Sequence, residues 1–157
     1  MPLSIQDRLK TMNIVLPAAA APAANYLPFM ISQNHLFTSG QLPLADGKLV
    51  ATGLLGRELD VAAGQAAARQ CAINILAVAQ AALGDLERIR KVVKITAFVA
   101  SAPDFVSQHL VVNGASDFLA EALGERGRHA RSSVGVASLP LNAPVEIEAI
   151  VEFDGDA

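Results

Sequence analysis

The chain has 157 residues, a net charge of −3 at pH 7 and an isoelectric point near 5.5. This length suits one domain with a substantial core, and the acidic balance argues against a general nucleic-acid or membrane-surface binder, because such proteins normally carry a basic excess. Cys71 is the sole cysteine, which excludes an intrachain disulfide and makes a reducing compartment the expectation. We therefore expect a single cytoplasmic domain over residues 1–157.

The N-terminal segment has some features of a signal peptide, because Arg8 and Lys10 precede an apolar stretch that ends in small residues. Asp7 within the basic part and several prolines within the apolar part depart from that pattern. The prolines also interrupt the most apolar region before it reaches the length of a membrane span. We therefore expect neither secretion nor a membrane partner.

Short elements are predicted in the first third of the chain. Ser4 and Asp7 resemble a capping box at the start of a helix over residues 4–12. A connector rich in Ala and Pro follows at residues 17–25, so that residues 1–19 form an N-terminal helix and connector. Alternating residues and turn signals then predict three strands, the last of them weak: Leu27–Gln33 and Leu36–Leu42 around a turn at Asn34–His35, and Leu49–Thr52 after a turn at Asp46–Gly47.

Two long helices are predicted with a strand between them. Asp60 and Gly84 are typical cap residues for a helix over Val61–Leu83, whose apolar stripe is mostly alanine. A β-branched strand is expected at Val92–Val99, and a second helix at Leu110–Leu123. This order, with antiparallel hairpins at both ends, predicts an α+β domain in which two helices cover one face of a mixed sheet. The other face stays open and suits oligomer packing.

Residues 129–153 predict a closing hairpin with its turn at Leu139–Pro144. In the second strand Val145, Ile147, Ala149 and Val151 alternate with Glu146, Glu148, Ile150 and Glu152, so the carboxylates would lie on the open face. In the first strand we assign the side that carries Arg131, Ser133 and Gly135 to the same open face.

Arg131 is the strongest candidate for a binding residue, because a guanidinium holds a carboxylate through two hydrogen bonds and its neighbours here are small. The alternative is an arginine that pairs with Glu148 or Glu152. If the hairpin closed symmetrically, Arg131 and Glu146 would stand roughly 20 Å apart along the strands. They could then share a small ligand only if a neighbouring subunit brought them together.

Other kinds of site have weaker support. His35, His109 and His129 are isolated and do not have the spacing of metal ligands, so no metal is expected. Cys71 lies on an apolar helical stripe, which favours a core position over a nucleophile. The cluster of Arg126, Arg128, His129 and Arg131 could contact phosphate, although such a loop is usually solvated.

Several segments together resemble the reactive intermediate deaminase family, RidA or YjgF. They are Tyr26, T-S-G-Q-L-P at 38–43, A-L-G-D-L at 82–86, V-V-N at 111–113, A-R-S-S-V-G-V-A-S-L-P at 130–140 and V-E-I-E-A-I-V at 145–151. The resemblance implies a chorismate-mutase-like fold, related to the ferredoxin-like folds, and a homotrimer with clefts between subunits around a central barrel. It also implies hydrolysis of 2-aminoacrylate and related enamines or imines to 2-keto acids and ammonia, without a metal or organic cofactor.

The same resemblance implies roles for individual residues. Arg131 corresponds to the arginine that grips the substrate carboxylate, and Glu146 to the acid that orients the attacking water. The family's pocket-lining positions are occupied here by Tyr26, Ser39, Gly40, Asn113 and Ser133. A small carboxylate is thus the expected ligand, and nucleic acid is not.

Three departures indicate a divergent branch. Ser133 replaces the family's frequent cysteine, His129 replaces the proline of its P-A-R motif, and residues 105–110 lengthen the stretch before Asn113. These changes leave the imine substrate undefined. Two alternatives remain open, a non-catalytic trimer that binds 2-keto acids and the ribonuclease or translation-inhibitor activity attributed to some relatives.

Overall fold

A five-stranded mixed sheet forms one layer of the protein, in a computed structural model that describes residues 1–19, 21 and 24–155. The strands, in chain order, are β1 Phe29–Ser32, β2 His35–Thr38, β3 Leu44–Ala45, β4 Lys48–Leu49, β5 Ile89–Ala100, β6 Ala130–Val136 and β7 Val145–Phe153. Within the sheet the order is β1-β2-β7-β5-β6, and β3 and β4 form a separate hairpin. Only β6 runs parallel to its neighbour, β5.

Helices form the second layer: α1 Ile5–Thr11, α2 Val61–Leu83 and α3 Gln108–Leu123. The predicted ends of α2 are confirmed, because the Asp60 carboxylate accepts the Ala63 N–H at 2.9 Å and Gly84 ends the helix at a φ of 78°. The prediction of an α+β fold with both long helices on one face of the sheet is also confirmed.

The core lies between these layers. Alternate residues of β7 (Val145, Ile147, Ala149, Val151 and Phe153) are buried, and α2 packs against this strand. By length and composition α2 could cross a membrane, a property that the sequence interpretation did not recognise, but 67% of its most apolar window is buried inside the protein. The burial is that of a core helix packed on a sheet.

The N-terminal helix is an integral part of this core. Ile5 and Leu9 of α1 are 0% and 2% exposed, and the Ser4 side chain caps the helix by accepting the Asp7 N–H at 3.0 Å. The Ile5 N–H donates to the Glu87 carboxylate at 2.5 Å. The helix therefore packs on α3 and on the turn Leu86–Arg88.

The predicted closing hairpin is wrong. Strand β5 lies between β6 and β7 and pairs with both, in parallel with β6 and antiparallel with β7. The alternation within each strand was correct, but the pairing partner depends on contacts distant in sequence. With 12 residues, β5 is long enough to pair along the full length of β6.

Two smaller predictions also need correction. The β1–β2 turn consists of Gln33 and Asn34 rather than Asn34–His35, because Ser32 pairs with His35. The face assigned to Arg131 was inverted: Arg131 pairs with Ile95, which is fully buried under the helices, whereas Val134 is 44% exposed on the open face. On an edge strand made mostly of small residues, hydrophobicity does not distinguish the two faces.

Candidate functional site

Arg131 lies on the edge strand β6 and extends towards α3. Its Nη1 donates to the Ser116 hydroxyl and its Nη2 to the His109 backbone carbonyl, both at 3.0 Å. Neither partner is charged, and among the described residues no ion pair includes Arg131. The predicted alternative of a pair with Glu148 or Glu152 is therefore wrong for the single chain, and the guanidinium retains N–H donors for an anion.

Two other predicted residues accompany this guanidinium. Asn113 lies on α3 four residues after His109 and three before Ser116, so helical spacing places it on the stripe that faces Arg131. Ser133 follows Arg131 on the same face of β6, and its buried hydroxyl has no hydrogen-bond partner among the described residues. A buried hydroxyl without a hydrogen bond lowers the stability of the folded state, unless a water or a ligand forms a hydrogen bond with it.

Glu146 belongs to a different part of the sheet. It lies on β7 opposite Phe98, on the open face with the other predicted carboxylates. A β-carbon at Gly40 would overlap the Glu146 carboxylate, so only glycine allows this approach. Burial, and then the nearby charge of Glu148, raises the pKa of the Glu146 carboxyl.

The loop after β2 supports Glu146. Gln41 pairs with Ile147 through hydrogen bonds of 2.8 and 3.1 Å, which fixes Gly40 beside β7. The Ser39 hydroxyl donates to the Leu27 carbonyl at 2.6 Å and ties the loop to the segment that contains Tyr26. Since Tyr26 is 53% exposed, its ring is available at the surface.

One chain does not bring these two groups together. Along β5, Arg131 is level with Ile95 and Glu146 with Phe98, an offset of roughly 10 Å, and two strand spacings add roughly 10 Å across the sheet. The two side chains also project from opposite faces. We call Arg131 with Asn113, Ser116 and Ser133 the arginine group, and Glu146 with Gly40 the glutamate group. Within one chain the two groups are separate.

The sequence interpretation missed the groups that hold Arg131. Ser116 was not singled out, although its spacing from Asn113 was a usable signal, and His129 was assigned to a basic cluster. In the structure Arg126 pairs with Glu87 at 3.1 Å and Arg128 with Glu125 at 3.7 Å, while His129 contacts Ser116. The cluster is thus divided among separate partners.

Other candidate chemistries find little support. Within the described residues, no group of three or more His, Cys, Asp or Glu side chains could hold a metal ion. Cys71 is fully buried, and its burial, followed by the charge of Glu146, raises the pKa of the thiol well above its usual value. A thiol in this environment is a poor nucleophile.

Comparison with known proteins identifies the fold. Residues 6–153 match the family described as "YjgF/chorismate_mutase-like, putative endoribonuclease". Protein TCP17 of Trypanosoma cruzi is 52% identical over 96% of this chain and 94% of its own length.

Two crystal structures are similar at different levels. That of Atu1372 from Agrobacterium tumefaciens is 60% identical, covers 96% of this chain and 92% of its own, and has a TM-score of 0.90. That of RidA from Psychrobacter sp. PAMC 21119 is 30% identical, covers 86% and 94%, and has a TM-score of 0.61. With its chorismate-mutase-like α+β fold, the chain belongs to the YjgF/RidA family.

Proposed function

We propose that this protein is a hydrolase that converts small 2-imino acids, and the 2-aminoacrylate-type enamines from which they form, to 2-keto acids and ammonia. It uses no metal or organic cofactor. The observation that carries the proposal is the Arg131 guanidinium, which two uncharged groups hold while no carboxylate among the described residues pairs with it. Membership of the YjgF/RidA family supports a role of this general kind.

Arg131 binds the substrate carboxylate in this proposal. Two parallel hydrogen bonds from a guanidinium to a carboxylate fix the orientation as well as the position of the bound group. Asn113 and Ser133 lie on the elements that face Arg131, and the buried Ser133 hydroxyl has no hydrogen-bond partner among the described residues.

Glu146 orients and deprotonates the attacking water. The water oxygen adds to the C=N carbon, and the water proton passes through the carboxylate to the nitrogen. The resulting carbinolamine loses its hydroxyl proton to nitrogen as the C–N bond breaks, which leaves a ketone and releases ammonia. Orienting the substrate and the water supplies much of the rate acceleration, because the carbon of an imine is already electrophilic.

A homotrimer completes the site. Because the arginine and glutamate groups face away from each other within a chain, a cleft that contains both requires a second subunit. The exposed apolar side chains of Met30, Phe37 and Val134 on the open sheet face are available for such packing. Tyr26, Ser39 and Gly40 enter the cleft with Glu146.

The substrate range of this branch differs from that of typical members. The chain has a higher TM-score with Atu1372 than with RidA from Psychrobacter, so its backbone resembles that of Atu1372 more closely. Residues 105–110 contribute Phe105 and Gln108 to a cavity of about 410 Å³ that also borders Gly135 on β6. We propose that the side chain of the imino acid enters this cavity.

A second function, binding of 2-keto acids without catalysis, is favoured by one observation. Among the described residues of one chain Arg131 presents an unpaired guanidinium, whereas Glu146 lies on the opposite face of the sheet. Binding of a keto-acid carboxylate needs only the first of these residues. RNA cleavage is less favoured, since Arg126 and Arg128 are engaged with carboxylates.

The test is to generate 2-iminobutanoate in situ and to follow keto-acid release with wild type, Arg131→Ala and Arg128→Ala. Loss of two charge-assisted hydrogen bonds, about 3 kcal/mol together, predicts that Arg131→Ala lowers kcat/KM about 10²-fold. Arg128→Ala is the matched control, because this arginine is exposed and its ion-pair partner, Glu125, lies in the same loop.

Two results would decide against hydrolysis. If wild type adds nothing to the spontaneous rate but 2-ketobutanoate still raises its Tm, the binding function is correct. If wild type neither accelerates the reaction nor binds the keto acid, both proposals fail.

A further inference from the structure

We infer that Ser116 and His129 are positioning residues, which hold the Arg131 guanidinium in the orientation that receives the substrate carboxylate. This inference rests on the proposed function of Arg131. Ser116 lies outside the segments that carried the family resemblance, and His129 stands where the family has a proline, so the part of both residues in the site follows from the contacts alone.

The contacts form a chain of hydrogen bonds that leads away from the guanidinium. Arg131 Nη1 donates to the Ser116 hydroxyl at 3.0 Å, and the Ser116 oxygen lies 2.9 Å from His129 Nε2. His129 Nδ1 lies 2.6 Å from the Gly127 carbonyl oxygen. Three side chains and one backbone group thus connect β6 to α3 and to the loop before β6.

The chemistry of these groups determines which one donates and which one accepts in each hydrogen bond. A carbonyl oxygen can only accept, so the proton of the neutral imidazole is on Nδ1 and Nε2 is an acceptor. A guanidinium can only donate, so Ser116 accepts from Arg131 and donates its hydroxyl proton to His129. Each of these groups has a defined role, which favours a single arrangement.

The Gly127 carbonyl, the last acceptor in this series of hydrogen bonds, belongs to a firmly anchored loop. Gly127 is buried, and a β-carbon at this position would overlap the Leu119 carbonyl of α3. The loop that carries the final acceptor therefore packs directly on the helix that carries Ser116. Such an anchor keeps the His129 ring, and through it the Ser116 hydroxyl, in place.

The choice of partners matters for binding an anion. A carboxylate in place of Ser116 would hold the guanidinium equally well but would neutralise it and compete with the substrate. A hydroxyl and the His109 carbonyl fix two of its N–H groups and leave the charge uncompensated. Because an arginine side chain has many rotamers, fixing it before the ligand arrives lowers the entropic cost of binding.

The experiment measures kcat and KM for 2-iminobutanoate, and the affinity for 2-ketobutanoate, in Ser116→Ala, Ser116→Thr and His129→Ala. Loss of the Ser116 hydroxyl is expected to raise KM and to weaken keto-acid binding about tenfold with little change in kcat. His129→Ala acts one step further away and should give a smaller change in the same direction. Threonine keeps the hydroxyl and should restore most of the affinity.

The role in positioning is separated from a merely structural role by a double-mutant cycle with Arg131→Ala. If Ser116 acts through Arg131, Ser116→Ala has no further effect once the guanidinium is gone. Thr11→Ala is the matched control, because this exposed hydroxyl lies on α1, away from Arg131 and from the open sheet face, and should change nothing.

Two results would overturn the inference. One is an unchanged affinity in Ser116→Ala while Arg131→Ala loses binding. The other is an equal loss from Ser116→Ala with and without Arg131. Failure of the proposed function is read separately, from a wild type that neither binds the keto acid nor releases it.

Discussion

The arginine group and the glutamate group solve the same problem, presenting one charged side chain, in opposite ways. Arg131 lies on an edge strand and is held by hydrogen bonds to uncharged groups of α3. Glu146 lies on β7, inside the sheet, and is confined by close packing against Gly40. The first arrangement preserves the charge, whereas the second partly removes water and raises the pKa of the carboxyl.

This difference indicates how each group tolerates change. A residue held by hydrogen bonds loses its orientation when one partner is removed, while the fold changes little. A residue confined by packing is instead sensitive to added volume, and its charge is a cost to the folded state. The two groups should therefore respond differently to substitution, and if they belong to one site, subunits that carry different substitutions should complement each other.

The largest effect is expected at Glu146. Glu146→Gln keeps the shape of the side chain but cannot accept the water proton, so keto-acid release from 2-iminobutanoate should fall about 10²–10⁴-fold. Binding of 2-ketobutanoate should remain, because Arg131 is intact. Glu148→Gln is the control on the same face of β7, and equal losses in the two variants would contradict the assignment.

Mixed trimers test whether the two groups act across subunits. When Arg131→Ala and Glu146→Gln chains are unfolded together and refolded at equal amounts, about one cleft in four should receive both intact residues. Activity should then rise from near zero to about a quarter of the wild-type value, whereas separately refolded variants stay inactive. An inactive mixture that has formed mixed trimers would show that the residues do not share a site between subunits.

A moderate effect is expected from Gly40→Ala. The added methyl group overlaps the Glu146 carboxylate, which ends a flexible side chain and can turn away, so denaturant unfolding should show a loss of stability of about 1 kcal/mol. Its activity should fall as well, because the carboxylate is displaced. Removing the obstructing side chain in Gly40→Ala/Glu146→Ala should recover most of the stability, and no recovery would mean that the strain arises elsewhere.

The smallest effect is a dependence of stability on pH. The folded state raises the pKa of Glu146, so it binds this proton more tightly than the unfolded chain does, and stability falls as pH rises through the window between the two pKa values. Glu146→Gln should therefore have a higher Tm than wild type near neutral pH. The difference should vanish below the ordinary pKa range of glutamate.

Protonation of Glu146 at lower pH should stabilise the fold but reduce activity. As pH falls through the raised pKa, Glu146 gains a proton and can no longer act as a base, so kcat should decline before the fold is affected. A kcat that is constant across this range would contradict the role of Glu146.

Local signals predicted the parts of the fold that depend on neighbouring residues. The ends of α2 followed from Asp60 and Gly84, because caps are interactions within a few residues. The alternation of β7 predicted the carboxylate face for the same reason. The pairing of β6 could not be obtained in this way, since β5 is separated from it by all of α3.

In the candidate site, too, the sequence predicted features of single elements but not contacts between distant ones. Arg131 and Glu146 were singled out from their strands and from the family resemblance, and Gly40 from its place in the T-S-G-Q-L-P segment. The partners of Arg131 were not found, because Ser116 and His129 belong to separate elements and approach the guanidinium only when α3 packs beside β6. The raised pKa of Glu146 likewise arises from burial, which no spacing reveals.

The sequence by itself determined the identity of the charged residues, the helix caps and the alternating strand that carries Glu146, because each of these depends on a residue type or on the period of one element. Only the tertiary structure decided that Arg131 faces α3 and that β5 separates β6 from β7. It also set the two charges on opposite faces of the sheet. These features depend on which distant elements pack together, a choice made by the burial of the whole core rather than by any one segment.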